Sequence, residues 1–114
     1  MRIDKYSFGK IIINGVEYAR DVIIFPERVR SNWWRREGHR LHIEDLEEVI
    51  EYNPEILIIG TGAYGAMKVP ESVIKELEKK GIHVIVANTR EACDKYNELI
   101  EKGKKVVAAL HLTC

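Results

Sequence analysis

The chain has no glutamine, only two cysteines and three prolines, and no excess of either charge. Each shortage closes off a class of protein. Two cysteines, Cys93 and Cys114, cannot build a disulfide framework. Eighteen Lys and Arg residues balance eighteen Asp and Glu residues, so no global field draws the chain to nucleic acid or to an anionic membrane. No apolar run approaches the length of a membrane-spanning helix. The opening Met1-Arg2-Ile3-Asp4-Lys5-Tyr6 has neither a signal core nor the acid-poor, serine-rich character of a transit peptide. These absences point to a cytoplasmic protein with no membrane partner. The missing glutamine, beside the many Glu and Lys residues, gives a thermophile-like composition. At 114 residues the chain is a single domain spanning 1–114, able to bury roughly two-thirds of the surface that its unfolded form exposes.

What is present alternates at first. Lys10–Ile13, then Asn14-Gly15, then Val16–Arg20 predicts a β-hairpin, because Asn-Gly accepts the positive φ angles of a type I′ turn. Asp21–Phe25 continues the second strand or starts a third, and Pro26 ends it. Residues 27–40 have no clean period and read as a long loop. A helix–strand rhythm follows. Leu46, Val49 and Ile50 form a short helix's inner face, and Ile56–Ile59 is a strand. Pro70 opens a helix with Val73, Ile74 and Leu77 inward, stopped by Gly81. Ile82–Ala87 is the next strand. Asn88 caps a third helix with Glu91 completing the box, and Ala92, Tyr96, Leu99 and Ile100 face inward until Gly103. Val106–Leu110 is the last strand. Such alternation demands an α/β fold with parallel core strands and right-handed crossovers, to which the hairpin adds antiparallel strands. Glu→Lys pairs at i,i+4 (Glu71–Lys75, Glu76–Lys80, Glu91–Lys95, Glu98–Lys102) mark solvated helix faces.

The apolar run Ile56–Ile59 ends in Gly60-Thr61-Gly62-Ala63-Tyr64-Gly65, which matches the dinucleotide fingerprint G-x-G-x-x-G letter for letter. Its surroundings argue against that use. In the fingerprint the helix begins within the glycines, whereas here Pro70 is the best first helical residue, and Val69 before it is pushed away from helical geometry. The next strand ends at Asn88-Thr89, with no acid to hold a ribose. A second use remains for these strand ends. Gly60, Thr61 and Gly62, with Asn88, Thr89 and the positive charges of Lys68 and Arg90, form a candidate ligand or anion loop.

No catalytic residue and no cofactor is assigned. His39 with His42 and His111 with Cys114 are spaced as H-x-x-H and H-x-x-C, but neither matches a zinc-site pattern, and no metal is assigned. Cys93 shares a helical stripe with Tyr96 and Ile100 and reads as a buried structural thiol. The strongest local oddity is residues 28–40, which hold Trp33, Trp34 and the arginines 28, 30, 35, 36 and 40. Trp and Arg are enriched at the centres of protein interfaces. Trp33, Trp34, Arg35 and Arg36 are therefore a candidate partner surface. The competing readings are that the tryptophans cap the sheet under arginine stems, or that the segment binds single-stranded nucleic acid, the least favoured of the three.

Taken together, the chain resembles the Mth-type domain family, whose members include a mitochondrial complex I assembly factor and an adipogenesis-associated protein. The matching features are Trp33/Trp34 leading to Leu41 and Glu44-Asp45-Leu46, Gly60-Thr61-Gly62 after an apolar strand, and Asn88-Thr89 through Ala92, Tyr96-Asn97, Leu99 and Gly103 to Val106–Leu110. The resemblance implies a three-layer α/β domain with a mixed central sheet in a non-Rossmann order, and it brings no catalytic residues. Two functions are expected. The first is a non-enzymatic binding or assembly domain, whose partner is another protein or a second copy of this chain. The alternative is a small-molecule or anion-binding protein, or an enzyme, working through Gly60–Gly65.

Overall fold

The computed structural model describes all 114 residues. The alternating first quarter folds into a three-stranded antiparallel sheet of β1 (Ile3–Ser7), β2 (Lys10–Ile13) and β3 (Val16–Tyr18). Asn14 and Gly15 take φ of 48° and 79°, as the predicted turn requires. β1 is a strand that the alternation did not separate, and a register shift between Ile3 and Lys5 interrupts its pairing with β2. The side-chain amide of Asn97 spans this irregularity, accepting from the Ile3 N–H at 3.0 Å and donating to the Ile3 carbonyl at 2.8 Å. The Tyr96-Asn97 pair is thus partly explained by sheet geometry.

β4 (Val22–Ile24) does not continue the hairpin. It joins a second sheet, antiparallel to β8, and turns back at Pro26 to pair with the two-residue β5 (Val29–Arg30). The segment expected to be wholly loop therefore carries one short strand. A 3-10 turn at Ile43–Leu46 leads into α1 (Glu47–Tyr52), closed by Asn53 at φ 57°. The helix–strand rhythm then appears as predicted: β6 (Ile56–Thr61), α2 (Glu71–Lys79), β7 (His83–Ala87), α3 (Thr89–Glu101) and β8 (Val106–His111). Pro70 itself is extended, with ψ 144°, and caps α2 from outside, one position earlier than expected. Ile50, Ile74 and Ile100 are only half-buried. Of the four Glu→Lys pairs, Glu98–Lys102 alone closes, at 3.4 Å.

The five-stranded sheet has the order β5-β4-β8-β6-β7, with β6 parallel to both β7 and β8. The chain steps outward from β6 to β7 and then back past β6 to β8. Right-handed crossovers in opposite directions place α2 and α3 on opposite faces. One core packs Val22, Ile24, Ile58, Ala108 and Leu110 against α3 and the small sheet. The other packs Ile23, Leu57, Ile59, Val107 and Ala109 beneath Trp33, Leu41, Leu46, Val49, Met67 and α2. This is a three-layer α/β domain with a mixed central sheet, and its strand order is not that of a Rossmann fold.

Candidate functional site

In a parallel sheet, ligands gather beyond the strands' carboxyl ends, where the chain reverses direction across the sheet. Here that place lies between β6 and β8. The residues that follow Thr61 and His111 fill it with main chain.

Every amide of the glycine loop has a partner inside the protein. Gly62 N–H donates to Thr89 Oγ1 at 2.8 Å. Ala63 donates to the Thr113 oxygen at 2.6 Å, Tyr64 and Ala66 both donate to the Cys114 oxygen at 3.1 Å, Gly65 reaches the Gly62 carbonyl and Met67 the Thr61 carbonyl. No free N–H remains there for a phosphate or carboxylate. Gly62 holds φ 105°, and a methyl group added to it would stand 2.3 Å from the Cys114 carbonyl carbon. Gly60 is equally confined, since its added carbon would lie 2.8 Å from Leu110 and 2.9 Å from Thr89 Oγ1. Thr89 is fully buried and its hydroxyl donates a hydrogen bond to the His111 carbonyl at 2.5 Å. Asn88 caps α3 by accepting from the Glu91 N–H. The two basic residues do not converge. Arg90 is exposed and lies 5.4 Å over the Tyr6 ring, on the α3 side. Lys68 belongs to the other face, where its backbone joins His39 and Leu41.

The Trp/Arg segment is divided by burial. Trp33 is 6% exposed and donates its indole N–H to the Asp45 carbonyl at 3.0 Å, whereas Trp34 is 75% exposed. Arg35 is buried with its guanidinium 4.8 Å over the Trp33 ring, while Arg36 is exposed. Core capping therefore describes Trp33 and Arg35, and a free surface describes Trp34 and Arg36.

Arg35 is held by a buried polar cluster that sequence reasoning did not assemble. Asp21 Oδ2 accepts from Arg35 Nη1 at 2.7 Å and from His111 Nδ1 at 2.8 Å, and Asp21 Oδ1 accepts from the Leu112 N–H at 2.8 Å. Arg35 Nη2 donates to the Gly38 carbonyl at 2.9 Å. A proton on His111 Nδ1 satisfies the short contact with the carboxylate. His111 Nε2 and the Arg35 Nε donor are both buried with no protein partner. Burial pushes the Asp21 carboxyl up, but the bonds from His111, the Leu112 amide and Arg35 outweigh it and hold the group below its usual range. The exposed His39 ring stands 5.7 Å from the His111 ring, and His42 bonds Glu37 at 2.6 Å. No sequence pattern links residues 21, 35 and 111, because only the β4–β8 pairing and the turn after β5 bring them together.

Trp34 precedes Arg35 in the chain and lines two clefts, as Trp33 does. One, of about 520 Å³, is lined by Arg20, Asp21, Asn32, Leu112 and Thr113 beside the tryptophans. The other, of about 400 Å³, carries Arg30, Arg36 and the carboxylates of Glu44, Glu47, Glu48 and Glu51. Phe8 and Tyr64, 56% and 82% exposed, form a second aromatic spot with ring centroids 6.1 Å apart. Both spots adjoin the last residues of the chain. Gly9 donates to the Leu112 carbonyl, Tyr64 bonds the Cys114 oxygen, and Trp34 shares its cleft with Leu112 and Thr113.

Comparison with known proteins returns one family model, described as "Protein of unknown function (DUF498/DUF598)", which matches residues 3–111. The human NADH dehydrogenase [ubiquinone] 1 alpha subcomplex assembly factor 3 is 30% identical over 113 residues, covering 96% of this chain and 60% of its own length. The chain thus spans about 60% of the assembly factors that it matches. Among solved structures, a conserved hypothetical protein of Pyrococcus horikoshii OT3 superposes with a TM-score of 0.83 at 31% identity, covering 100% of both chains. A structure described as an outer membrane protein of Bartonella henselae gives 0.84 at 25% identity, covering 98% of this chain and 94% of its own. No helix in the present structure is long and apolar enough to cross a membrane.

Proposed function

The chain belongs to the DUF498/DUF598 family of unknown function, and from that premise we propose that it is a non-enzymatic assembly domain that contacts a partner protein through Trp34 and Arg36. The observation that carries the reading is a tryptophan 75% exposed on a rigid base. Its neighbours Trp33 and Arg35 are locked into the core by Asp45 and Asp21, so the backbone that carries Trp34 is already held in place. Tryptophan and arginine are the residue types enriched at the centres of protein interfaces. The complex I assembly-factor relatives support a protein partner over nucleic acid or a small molecule. The glycine loop gives the anion-binding alternative no such support, because its amides are spent on the chain's own oxygens. The reading retains the cytoplasmic location and the single-domain organisation expected from the sequence.

Two single substitutions test it. Trp34→Ala removes exposed surface and leaves the melting temperature near that of the wild type. Loss of a central interface tryptophan costs about 2 kcal/mol or more of binding, or roughly thirtyfold in affinity. Partner retention on the immobilised protein, quantified for wild type and Trp34→Ala, should fall by that factor. Equal retention of every partner by the two proteins would sink the proposal. Trp33→Ala serves as the contrast, because emptying a buried tryptophan site costs about 3–5 kcal/mol of stability.

A further inference from the structure

The outer edge of β7 makes a strand-pairing surface. The His83 N–H donates to the Glu55 carbonyl at 2.9 Å, and His83, Ile85 and Ala87 stand opposite Ile56, Ile58 and Gly60 of β6. In a parallel pair, alternate residues direct both backbone groups to the same neighbour. His83, Ile85 and Ala87 therefore face β6, and the N–H and C=O of Val84 and Val86 point outward, where no further strand follows in the sheet.

Proteins ordinarily blunt such edges with charge, proline, bulges or shortness. The other edges here are treated in this way. β5 is two residues long and carries Arg30, β1 carries Asp4 and Lys5 beside its register shift, and β3 carries Glu17. β7 alone reads His-Val-Ile-Val-Ala, with no acid, lysine, arginine or proline. Val86 is 42% exposed on it, one of five large apolar residues that the chain leaves open.

We propose that β7 pairs with β7 of a second copy, antiparallel about a two-fold axis through Ile85, to form one continuous sheet across two molecules. The occupant follows from self-complementarity. About that axis Val84 of one copy stands opposite Val86 of the other, and these are the residues whose N–H and C=O groups face outward. They form the closely hydrogen-bonded pairs of an antiparallel ladder. Ile85 meets its own mate at the intervening position. Val84 packs toward the α2-side core, and Val86 shares that face by alternation. The exposed Val86 is thereby covered by the partner's Val84, a favourable pairing of β-branched side chains. Ile85 lies on the α3 side, where it meets an identical residue. This surface is separate from Trp34 and acts independently of it.

Sedimentation equilibrium of the full chain over a concentration series tests the inference. The wild type should approach twice the single-chain mass at the upper end, and the Val84 and Val86 amides should become protected from hydrogen exchange in step with association. Val86→Pro removes an N–H that β6 does not use, so the monomer tolerates it, while the intermolecular ladder loses a donor and gains a clash. It should stay monomeric throughout with an intact circular dichroism spectrum. Val86→Lys places a charge on the exposed edge and should do the same if the proline variant folds poorly. Trp34→Ala should associate as the wild type does. A wild type that remains monomeric, a folded Val86 variant that still dimerises, or association abolished by Trp34→Ala would each overturn the pairing.

Discussion

Replacing Gly62 with alanine isolates what the glycine loop is for. Two separate costs meet at this residue. Its φ of 105° lies where an L side chain is strained, at about 1–2 kcal/mol. Its added methyl group would also stand 2.3 Å from the Cys114 carbonyl carbon and 2.8 Å from the Thr113 oxygen. Those are main-chain atoms, so relief requires moving the final residues away. That movement breaks the bonds from Ala63, Tyr64 and Ala66 to Thr113 and Cys114, each worth about 1 kcal/mol net. The combined loss is on the order of 3–5 kcal/mol, which for a domain of this size lowers the melting temperature by roughly 10–20 °C. Gly65→Ala supplies the control. It has φ 70° but only a 3.6 Å contact with Thr61 Oγ1, so it bears the conformational cost without the collision. Its loss should be about 1–2 kcal/mol. Gly38→Ala, with nothing within 4 Å, should be near neutral. The three proteins are compared by denaturant unfolding, with the m-value checked for constancy. If Gly62→Ala and Gly65→Ala lose the same stability, packing of the chain's last residues against the loop does not hold it, and the structural account of the glycines fails.

Other consequences concern charge and burial. Asp21 has its folded-state carboxyl held below the ordinary value of 3.8, so its contribution is complete above that pH and is lost as pH falls through the lower, folded value. Asp21→Asn leaves the buried Arg35 uncompensated and should cost roughly 3 kcal/mol near neutrality. Its deficit relative to wild type should shrink in acid, and a pH-independent gap between their unfolding free energies would contradict the cluster. Burial pushes the Cys93 thiol up to about 12, so it should resist a thiol reagent in the native state while the exposed Cys114 labels rapidly. Equal labelling rates would displace Cys93 from the core. Thr89→Val keeps the volume but orphans the buried Gly62 N–H, a loss of about 1–3 kcal/mol. Thr89→Ser should recover most of it, and a valine variant as stable as wild type would show that the hydroxyl bridge is dispensable.

Local chemistry was enough to define most elements of this chain. Asn14-Gly15 specified a hairpin because few other residue pairs accept consecutive positive φ angles. Gly81 and Gly103 ended helices, Asn88 began one, and the 3.6-residue spacing of Ala92, Tyr96 and Leu99 set the buried face of α3. The late start of α2 also followed from Val69-Pro70, because the residue before a proline is pushed away from helical geometry. β1 and β5 were less legible, since short strands take their stability from the partner and not from their own residues.

Sequence reading left the Trp/Arg segment undivided and the strand ends open, because both depend on which distant groups arrive there. Trp33 and Trp34 are chemically identical neighbours. One is buried and the other exposed because Asp45 accepts the first indole while Asp21, itself bonded to His111 of β8, holds the next arginine. The glycines at the end of β6 specify close approach but do not say by what. The fold answers with Thr89 and with the chain's own last two residues. Propensity and periodicity act over a few residues and so fixed the elements. Residues 21, 35 and 111 meet only when the sheet has formed, so the buried cluster and the surface that it supports were decided by tertiary structure.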